Sequence, residues 1–495
     1  MSLMMWPTVT RPWAATLNVG RDAPIAIAGR YVILAVWCLV LFAYGLDAGP
    51  LYRTESLRAI IGAECLRGHW LFPVLYGEPF LTKPPGQYVA IGLCSLPFGE
   101  VTAASARVPS VIAATLAVLL VAGLFRRVLG DHAGWLAGFL LPTSVLWLDK
   151  VPSAEIDMSL LGWVTASLVL AYRAIDAKAR PVPRAGLWGA SLLCLALGTL
   201  TKWTAPAFFG LTLLPFLIWQ RQLRVLMSWP FLLATSLAVA LCGVWALAVA
   251  NDVGWSTLVD TIRSEASYRF HPAPKAKGYP WGEVATYPLV VWAAHLPLSL
   301  FALATLRPRF FQQWDDAGRS LLRFLHCWAW PSLLFWAIVP NHNVRYALPI
   351  SPALMGLGVM GLWAWLRRCE ATGLQRAKIA VVAFLVLWLI AKIVFVEVVV
   401  PQRASKRNAE PIGLALRTLI PPGEPVYLLR LKDEGVLFYF GRPALRCRDP
   451  RTLPRPAYVL LREPEWHDRS GLGDVELVQW MYDQQGDPLI VAKVK

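Results

Sequence analysis

The chain reads as an all-α polytopic membrane protein with about 11 to 13 transmembrane helices, followed by a small soluble α/β domain. Three observations carry that reading. Hydrophobic residues make up 57% of the 495 and charged residues only 16%, where a soluble chain carries about a quarter charged residues. Mean hydropathy is +0.50. The apolar residues gather into long runs separated by short basic loops, and those runs stop after Pro401. A net charge of +16 would point to nucleic acid in a soluble protein. Here the basic residues sit in loops between apolar runs, so membrane topology accounts for them and no nucleic-acid partner is expected. The 24 tryptophans fit the same picture, since Trp collects at membrane–water interfaces. Eight cysteines are scattered, most of them (Cys38, Cys194, Cys242, Cys327) inside apolar runs, with neither a metal-ligand spacing nor a disulfide framework.

Apolar length places spans near 31–47, 106–125, 133–148, 157–173, 185–201, 204–219, 227–250, 284–304, 321–339, 346–366 and 378–400. Arg11, Arg21 and Arg30 precede the first run without a small-residue cleavage site, so that run is expected to be a retained span. Short basic loops recur on one side: Arg126-Arg127, Arg173 with Lys178 and Arg180, Arg221 with Arg224, Arg307 with Arg309, and Arg367-Arg368 with Arg376 and Lys378. These loops and the N-terminus are expected to face the cytoplasm of a bacterial inner membrane, which puts the C-terminal domain outside.

The external side then receives the loop 48–105, the Asp149–Asp157 turn, the Leu200–Pro206 turn, the loop 251–283 and the Pro340–Pro349 turn. Within the first, Gly86–Phe98 is too short to span and is expected to lie as an amphipathic or re-entrant helix. Residues 1–403 form the transmembrane domain, with 48–105 as its catalytic external loop, and 404–495 form the soluble domain. In the latter, 425–430, 457–462 and 488–495 read as buried strands, and 411–419 and 433–439 as helices.

Charged groups close to a span end are costly if they face lipid, and nearly all of those here fall on the external side: Glu55, Lys83, Asp149, Lys150, Glu155, Asp157, Lys202 and Arg345. Their convergence would make a site for something anionic between helix ends. Glu55 is placed to deprotonate an incoming hydroxyl or amine; the plainer alternative is an interfacial carboxylate paired with Arg53 or Arg58. Asp157 opens a span, where it either acts in the site or compensates the helix N-terminus. Lys83 precedes Pro84-Pro85, which stiffen its backbone and suit it to phosphate as a point charge, unless it only snorkels to lipid headgroups. Lys202 and the Arg345-Tyr346 pair flank the same face. His69, His271, His295 and His342 match no compact metal site with Glu55 or Asp157, so no metal ligand set is assigned; the sequence leaves a divalent metal ion open. A P-loop, a dinucleotide glycine fingerprint and a nucleophile elbow are all missing from the sequence.

The order of motifs resembles a known family. Tyr52-Arg-Thr-Glu-Ser-Leu-Arg58, Gly68-His-Trp-Leu-Phe-Pro73 and Gly77-Glu-Pro-Phe-Leu-Thr-Lys-Pro-Pro85 are similar to the first external loop of polyprenyl-phosphate-dependent glycosyltransferases of the GT-C fold. The nearest group is the aminoarabinose lipid A transferases, related to protein O-mannosyltransferases. Ala106-Arg-Val-Pro-Ser110, Asp157-Met158, Leu200-Thr-Lys202, Tyr279-Pro-Trp281 and Arg345-Tyr-Ala-Leu-Pro349 continue the likeness over about residues 30–365. Two departures stand out: Thr54 precedes Glu55 where the family has an acidic pair, and Thr82 precedes Lys83 where the family commonly has Glu.

The resemblance implies transfer of a sugar from a polyprenyl-phosphate donor to an extracytoplasmic acceptor (lipid, glycan or protein). Glu55 and Asp157 would be the catalytic carboxylates, and Lys83, Lys202, Arg345 and Tyr346 would hold the donor phosphate. Arg58, His271 and Tyr279 would stand in the substrate loops. A secondary transporter would instead need charges near the bilayer midplane and an inverted repeat. A non-catalytic carrier-binding protein is the third alternative, kept open by Thr54 and Thr82.

Overall fold

The computed structural model describes residues 24–176, 181–271, 278–341, 343–469 and 471–495. Arg11, Arg21, Lys178, Arg180 and His342 lie outside the described residues. The helices that matter below run in chain order: α1 Pro24–Ala43, α2 Thr54–Leu66, α3 Gly86–Ser95, α4 Ala103–Leu129, α5 Asp131–Leu140, α6 Val145–Lys150, α7 Ile156–Ile175, α8 Pro181–Thr199 and α9 Ala205–Trp219. They continue with α10 Trp229–Val253, α11 Trp255–Phe270, α12 Trp281–Ala294, α13 Asp316–Ile338, α14 Ser351–Leu366, α15 Ala371–Val394, α16 Glu410–Leu419 and α17 Glu434–Phe440.

Among the described residues, six helical stretches are long and apolar enough to cross a membrane: Ala103–Leu129, Ile156–Ile175, Trp229–Val253, Asp316–Ile338, Val344–Leu366 and Ala371–Ala404. A bent pair, Trp281–Ala294 and Leu298–Leu306 at 110°, brings the number to seven if it counts as one span. The chain is therefore a multi-pass, mostly helical membrane protein. The shorter apolar helices Ala28–Ala43 and Ala205–Trp219 also fall where the apolar runs placed spans.

Local sequence explains the helix limits. Thr102 and Ser105 close a reciprocal capping box at the start of α4, Thr102 Oγ1 accepting from the Ser105 amide at 3.1 Å and Ser105 Oγ from the Thr102 amide at 2.9 Å. Each bond satisfies an N–H that the helix itself leaves open. Gly130, at φ 93°, then turns the chain sharply into α5, while Arg126 and Arg127 favour the carboxyl end of α4.

One apolar core joins α1, α4, α5, α7, α9, α13 and α14. The interior helices are mostly buried, Val344–Leu366 nearly all round, whereas α10 and α15 keep most of their apolar side chains exposed, as helices at the rim of a bundle facing lipid should. Small residues permit the closest packing. A Cβ at Gly361 of α14 would overlap the carbonyl oxygen of Phe301, and one at Gly358 the carbonyl of Leu298.

Beyond the bundle, a five-stranded mixed sheet has the order β4-β3-β5-β7-β6. Its strands are β3 Val426–Leu428, β4 Ala444–Arg446, β5 Ala457–Leu461, β6 Val475–Tyr482 and β7 Pro488–Val494. β3 pairs parallel with β4 and β5, and β7 antiparallel with β5 and β6. Alternation along β5 sends Leu460 to one core with Leu416, Phe440 and Val491, and Val459 and Leu461 to another with Ile490 and Val494. The runs 425–430, 457–462 and 488–495 thus lie on β3, β5 and β7, and 411–419 and 433–439 on α16 and α17.

The loop 48–105 is largely ordered. It contains α2, a two-strand ribbon (β1 Val74–Leu75, β2 Glu78–Pro79) and α3. Gly86–Phe98 is the short helix α3 followed by a 3₁₀ turn. The ribbon is held to the sheet: the Arg446 amide donates to Tyr76 O at 2.8 Å, Tyr76 inserts into the sheet's core, and Arg448 meets Glu78 at 2.7 and 3.0 Å.

The Gly361–Phe301 approach yields a direct expectation. Gly361→Val forces the bent pair off α14 and should cost about 1–3 kcal/mol. The thermal unfolding midpoint of the purified protein should fall clearly, whereas the same change at Gly186, where a Cβ meets nothing within 4 Å, should leave it near the parent value.

Candidate functional site

Several polar turns at one end of the bundle meet at Glu155. This residue occupies the N-cap position of α7 in extended backbone, but its side chain makes no capping bond to that helix. Its Oε2 instead accepts from Arg58 Nη1 of α2 at 2.7 Å, and its Oε1 from Arg345 Nη1 at 2.9 Å and Thr54 Oγ1 at 3.2 Å. The same Arg58 nitrogen also donates to Ala154 O at 3.1 Å. Burial on its own would raise the Glu155 carboxyl, yet Arg58, Arg345 and Lys150 outweigh it and hold it at about 2. Glu155 is therefore a fixed anion joining α2, α7 and the start of the Val344–Leu366 helix.

Asp157, in the first turn of α7, points into the protein and is ion-paired with the buried Lys202; Arg345 Nε lies 3.7 Å from its Oδ2. Lys202 comes from the turn after α8. That turn touches the Lys83-Pro84-Pro85 segment because Gly86 has no side chain: its amide donates to Leu200 O at 2.8 Å, and a Cβ there would stand 2.6 Å from Thr201 Oγ1. This close approach brings two lysines from distant parts of the chain to one place. Burial lowers the ammonium pKa of Lys83, its ion pair with Glu265 raises it, and Arg269 and Lys202 lower it again.

Tyr346 sits at the centre of these cations. Its ring has Lys202 Nζ at 4.6 Å, the Arg269 guanidinium at 4.7 Å and the Arg345 guanidinium at 5.7 Å from the centroid, within the range of cation–π attraction. Its hydroxyl accepts from Arg269. Lys83, Lys202, Arg269 and Arg345 outnumber the carboxylates Glu155, Asp157 and Glu265 that face them, so the cluster favours an added anion.

Glu55 faces the other side of Glu155. Its Oε1 accepts from the Ala154 amide at 2.8 Å and from Arg107 Nε at 3.3 Å, while Oε2 takes no hydrogen bond among the described residues. Arg107 is buried in α4 and donates also to the carbonyls of Leu46 and Ala48 at 2.9 and 3.1 Å and of Gly49 and Pro50 at 3.3 Å each. One guanidinium thus fixes the chain leading into α2. Neither Arg53 nor Arg58 pairs with Glu55, contrary to the plainer alternative: Arg58 is taken by Glu155.

The structure brings together Glu55, Arg58, Asp157, Lys202, Arg345 and Tyr346 through Glu155, with Lys83 beside Lys202. His271 and Tyr279 lie apart, on the outer edge. His271 pairs with Ser267 at the end of α11 and accepts from Asn341 through its carbonyl, and the Tyr279 hydroxyl donates to Ile338 O. His295 is buried between Val291 O and Ser351 Oγ, at 2.7 and 2.6 Å. Among the described residues no group of three or more His, Cys, Asp or Glu side chains could hold a metal ion.

Glu265 and Arg269 were not legible as site residues while 251–283 was read as a loop. They lie on α11, and their spacing of four puts them on one face, a signal present in Ser264-Glu-Ala-Ser-Tyr-Arg269. Arg107 was visible only as part of a motif. Glu155 was one charge among several, and nothing in its neighbours marks it as the hub.

Comparison with known proteins follows the same lines. Residues 82–246 match the family model described as dolichyl-phosphate-mannose-protein mannosyltransferase. The chain is 32% identical over 355 residues to an undecaprenyl phosphate-alpha-4-amino-4-deoxy-L-arabinose arabinosyl transferase of Pseudomonas paraeruginosa, a match covering 68% of this chain and 62% of the relative. The chain thus spans about three fifths of the length of the curated relatives it matches. Among solved structures it is similar to ArnT from Cupriavidus metallidurans bound to undecaprenyl phosphate, with TM-score 0.72, 17% identity, 95% of this chain and 98% of that chain covered. The archaeal oligosaccharyltransferase AglB from Archaeoglobus fulgidus is a more distant likeness, at TM-score 0.51 and 12% identity over 85% of this chain and 64% of that one. The chain has the GT-C fold, and its sequence relates it to polyprenyl-phosphate-dependent glycosyltransferases.

The Glu155 hub carries a pH signature. Its folded carboxyl lies below the ordinary value of 4.5, so its stabilisation is complete above about pH 4.5 and is lost as pH falls towards about 2. The depression corresponds to about 3 kcal/mol. Glu155→Gln should lower the thermal midpoint at pH 7, and the gap to the parent should close progressively from pH 4.5 downward; a gap independent of pH would remove the charge from the explanation.

Proposed function

We propose that this chain is a glycosyltransferase of the bacterial inner membrane that moves a sugar, pentosyl or hexosyl, from a polyprenyl-phosphate carrier to an extracytoplasmic acceptor with inversion. The observation that carries the reading is the group of cations around Tyr346, with Asp157 and Glu155 on one side of it. Sugar nucleotides are cytoplasmic, so a donor reaching an outward-facing site has to arrive on a flipped lipid, with its phosphate at the bilayer surface. Relatives named as undecaprenyl-phosphate-dependent arabinosyl transferases support the same donor class.

In this reading the chain has about 11 to 13 spans, with the N-terminus and the basic loops in the cytoplasm. Residues 1–403 are the transmembrane transferase domain and 404–495 an extracytoplasmic domain. Support comes from the described helices that coincide with the eleven apolar runs and from the meeting of the non-basic turns at one end of the bundle.

The chemistry follows from the charges. The acceptor oxygen attacks the anomeric carbon while the bond from that carbon to the phosphate oxygen breaks. The phosphate leaves with the electron pair, and Lys83, Lys202, Arg269 and Arg345 offset its growing charge, with Tyr346 between them. Asp157 orients Lys202 and Arg345 toward it. The acceptor's proton passes to Glu55 Oε2, the carboxylate oxygen that takes no internal hydrogen bond among the described residues. With Thr54 and Thr82 where the family has acidic residues, Glu55 is the carboxylate of these motifs left to act as the base. Arg58 acts by holding Glu155, while His271 and Tyr279 stand at the edge of the site. The charges gather at helix ends rather than at mid-bundle, which favours transfer over transport.

Two variants separate these roles. Glu55→Gln should abolish transfer from a labelled polyprenyl-phosphate sugar while leaving carrier binding intact. Lys83→Gln should weaken carrier binding at least about tenfold, as loss of a charge-assisted bond to phosphate does. Near-normal turnover in the first variant would remove Glu55 from the mechanism.

A further inference from the structure

Three carboxylates face the cations around Tyr346, and they are not equivalent. The side chains of Asp157 and Glu155 are 2% and 9% exposed, and each is held by two cations, Asp157 by Lys202 and Arg345 and Glu155 by Arg58 and Arg345. Both belong to the frame that fixes the site. Glu265 differs. Its side chain is 24% exposed, and among the described residues it is paired with Lys83 alone, itself 20% exposed. It sits where the cluster is open, on the ammonium assigned to the donor phosphate.

Core packing does not dictate that placement, because α11 buries Leu258 and little else. Glu265 and Arg269, four apart with the acid first, are spaced to pair with each other along the helix. Instead Glu265 goes to Lys83 and Arg269 to the Tyr346 hydroxyl. Within its own loop Lys83 finds a carbonyl, Thr82 O at 3.0 Å, and no carboxylate. The fold thus brings an anion from 182 residues away to a cation that a phosphate is meant to take.

The use of such an anion follows from the charge change in transfer. The donor phosphate is a diester with one negative charge. When the bond to the anomeric carbon breaks, the electron pair stays on the phosphate oxygen and the acceptor's proton passes to Glu55. The departing carrier is then a monoester, whose second proton is lost near pH 6, so it holds close to two negative charges above that. Cations alone would grip this product more tightly than the donor. A fixed carboxylate beside them repels a dianion about twice as strongly as a monoanion, which offsets that preference. Product release limits turnover in many enzymes.

We infer that Glu265 serves product release: its carboxylate competes with the phosphate for Lys83 and weakens the hold on the dianionic carrier more than on the monoanionic donor. The inference rests on the donor-phosphate reading of the Lys83–Tyr346 cluster given above.

The test uses two probes that differ by that one charge, farnesyl phosphate and its methyl diester. Their binding to the full chain in detergent micelles is measured by isothermal titration calorimetry. The parent should bind both. Glu265→Gln should tighten the diester about threefold and the monoester about tenfold at pH 8, the larger gain following the doubled charge. At pH 5 the monoester also carries one charge, and the two gains should be equal. Glu265→Asp keeps the carboxylate and should hold the ratio between probes within about twofold of the parent's. Asp260→Asn removes a charge from an exposed position of the same helix and should change neither probe by more than about twofold. Should Glu265→Gln not fold, Thr82→Glu gives the converse: a second carboxylate beside Lys83 weakens the monoester about tenfold and the diester about threefold. If Glu265 were a strut that steadies Lys83, its loss would weaken both probes. That result, or equal gains for the two probes at pH 8, would overturn the inference and leave the carrier site standing. Failure of both probes to bind the parent would overturn the donor-site reading and this inference with it.

Discussion

The buried charge of Glu155 is the constraint on which this end of the bundle depends. An ionised carboxylate at the mouth of a membrane bundle is tolerated only when its oxygens are filled by cations or donors. Arg58 and Arg345 meet that demand, and each belongs to a different part of the chain. Satisfying one side chain therefore brings α2, α7 and the Val344–Leu366 helix together. Arg345 then reaches Asp157, Asp157 holds Lys202, and Lys202 stands over Tyr346. The order of these links runs from electrostatic necessity to a cation cluster that favours an anionic guest.

Two further devices serve the same end without carrying the chemistry. Arg107 spends its donors on four carbonyls and Glu55, which turns an otherwise free segment into a rigid lead-in for α2. Gly86 lets the Lys83 segment touch the Leu200–Lys202 turn backbone to backbone. At the other end of the loop, the ribbon around Tyr76 is clamped by the C-terminal sheet through Arg446 and Arg448. The loop bearing Lys83 is thus anchored at both sides, which holds its side chains in fixed positions.

Much of this was legible in the sequence, for identifiable reasons. Apolar run length is dictated by the bilayer, so the six long helices able to cross it stood out, and the shorter apolar helices α1 and α9 fall on apolar runs as well. Lys83, Asp157, Lys202 and Arg345 were conspicuous because ions are rare beside apolar runs. Strands β3, β5 and β7 are buried on both faces and read as continuous apolar stretches, whereas β6 is half-exposed and β4 only three residues long, and neither gave a signal. The pairing was hidden: Glu55 had Arg53 and Arg58 as sequence neighbours, yet its partner Arg107 is 52 residues away. Arg269 was missed because α11 is a polar helix, which hydropathy does not separate from a loop.

The central claim is that the cations around Tyr346 form the seat of a lipid-linked phosphate. The most direct measurement is an electron cryomicroscopy map of the full chain with a bound polyprenyl phosphate. The account places the phosphate within hydrogen-bonding distance of Lys83, Arg269 and the Tyr346 hydroxyl, on the Asp157 side of Arg345. Density for the phosphate at the opposite end of the bundle, or out of reach of all three groups, would contradict it.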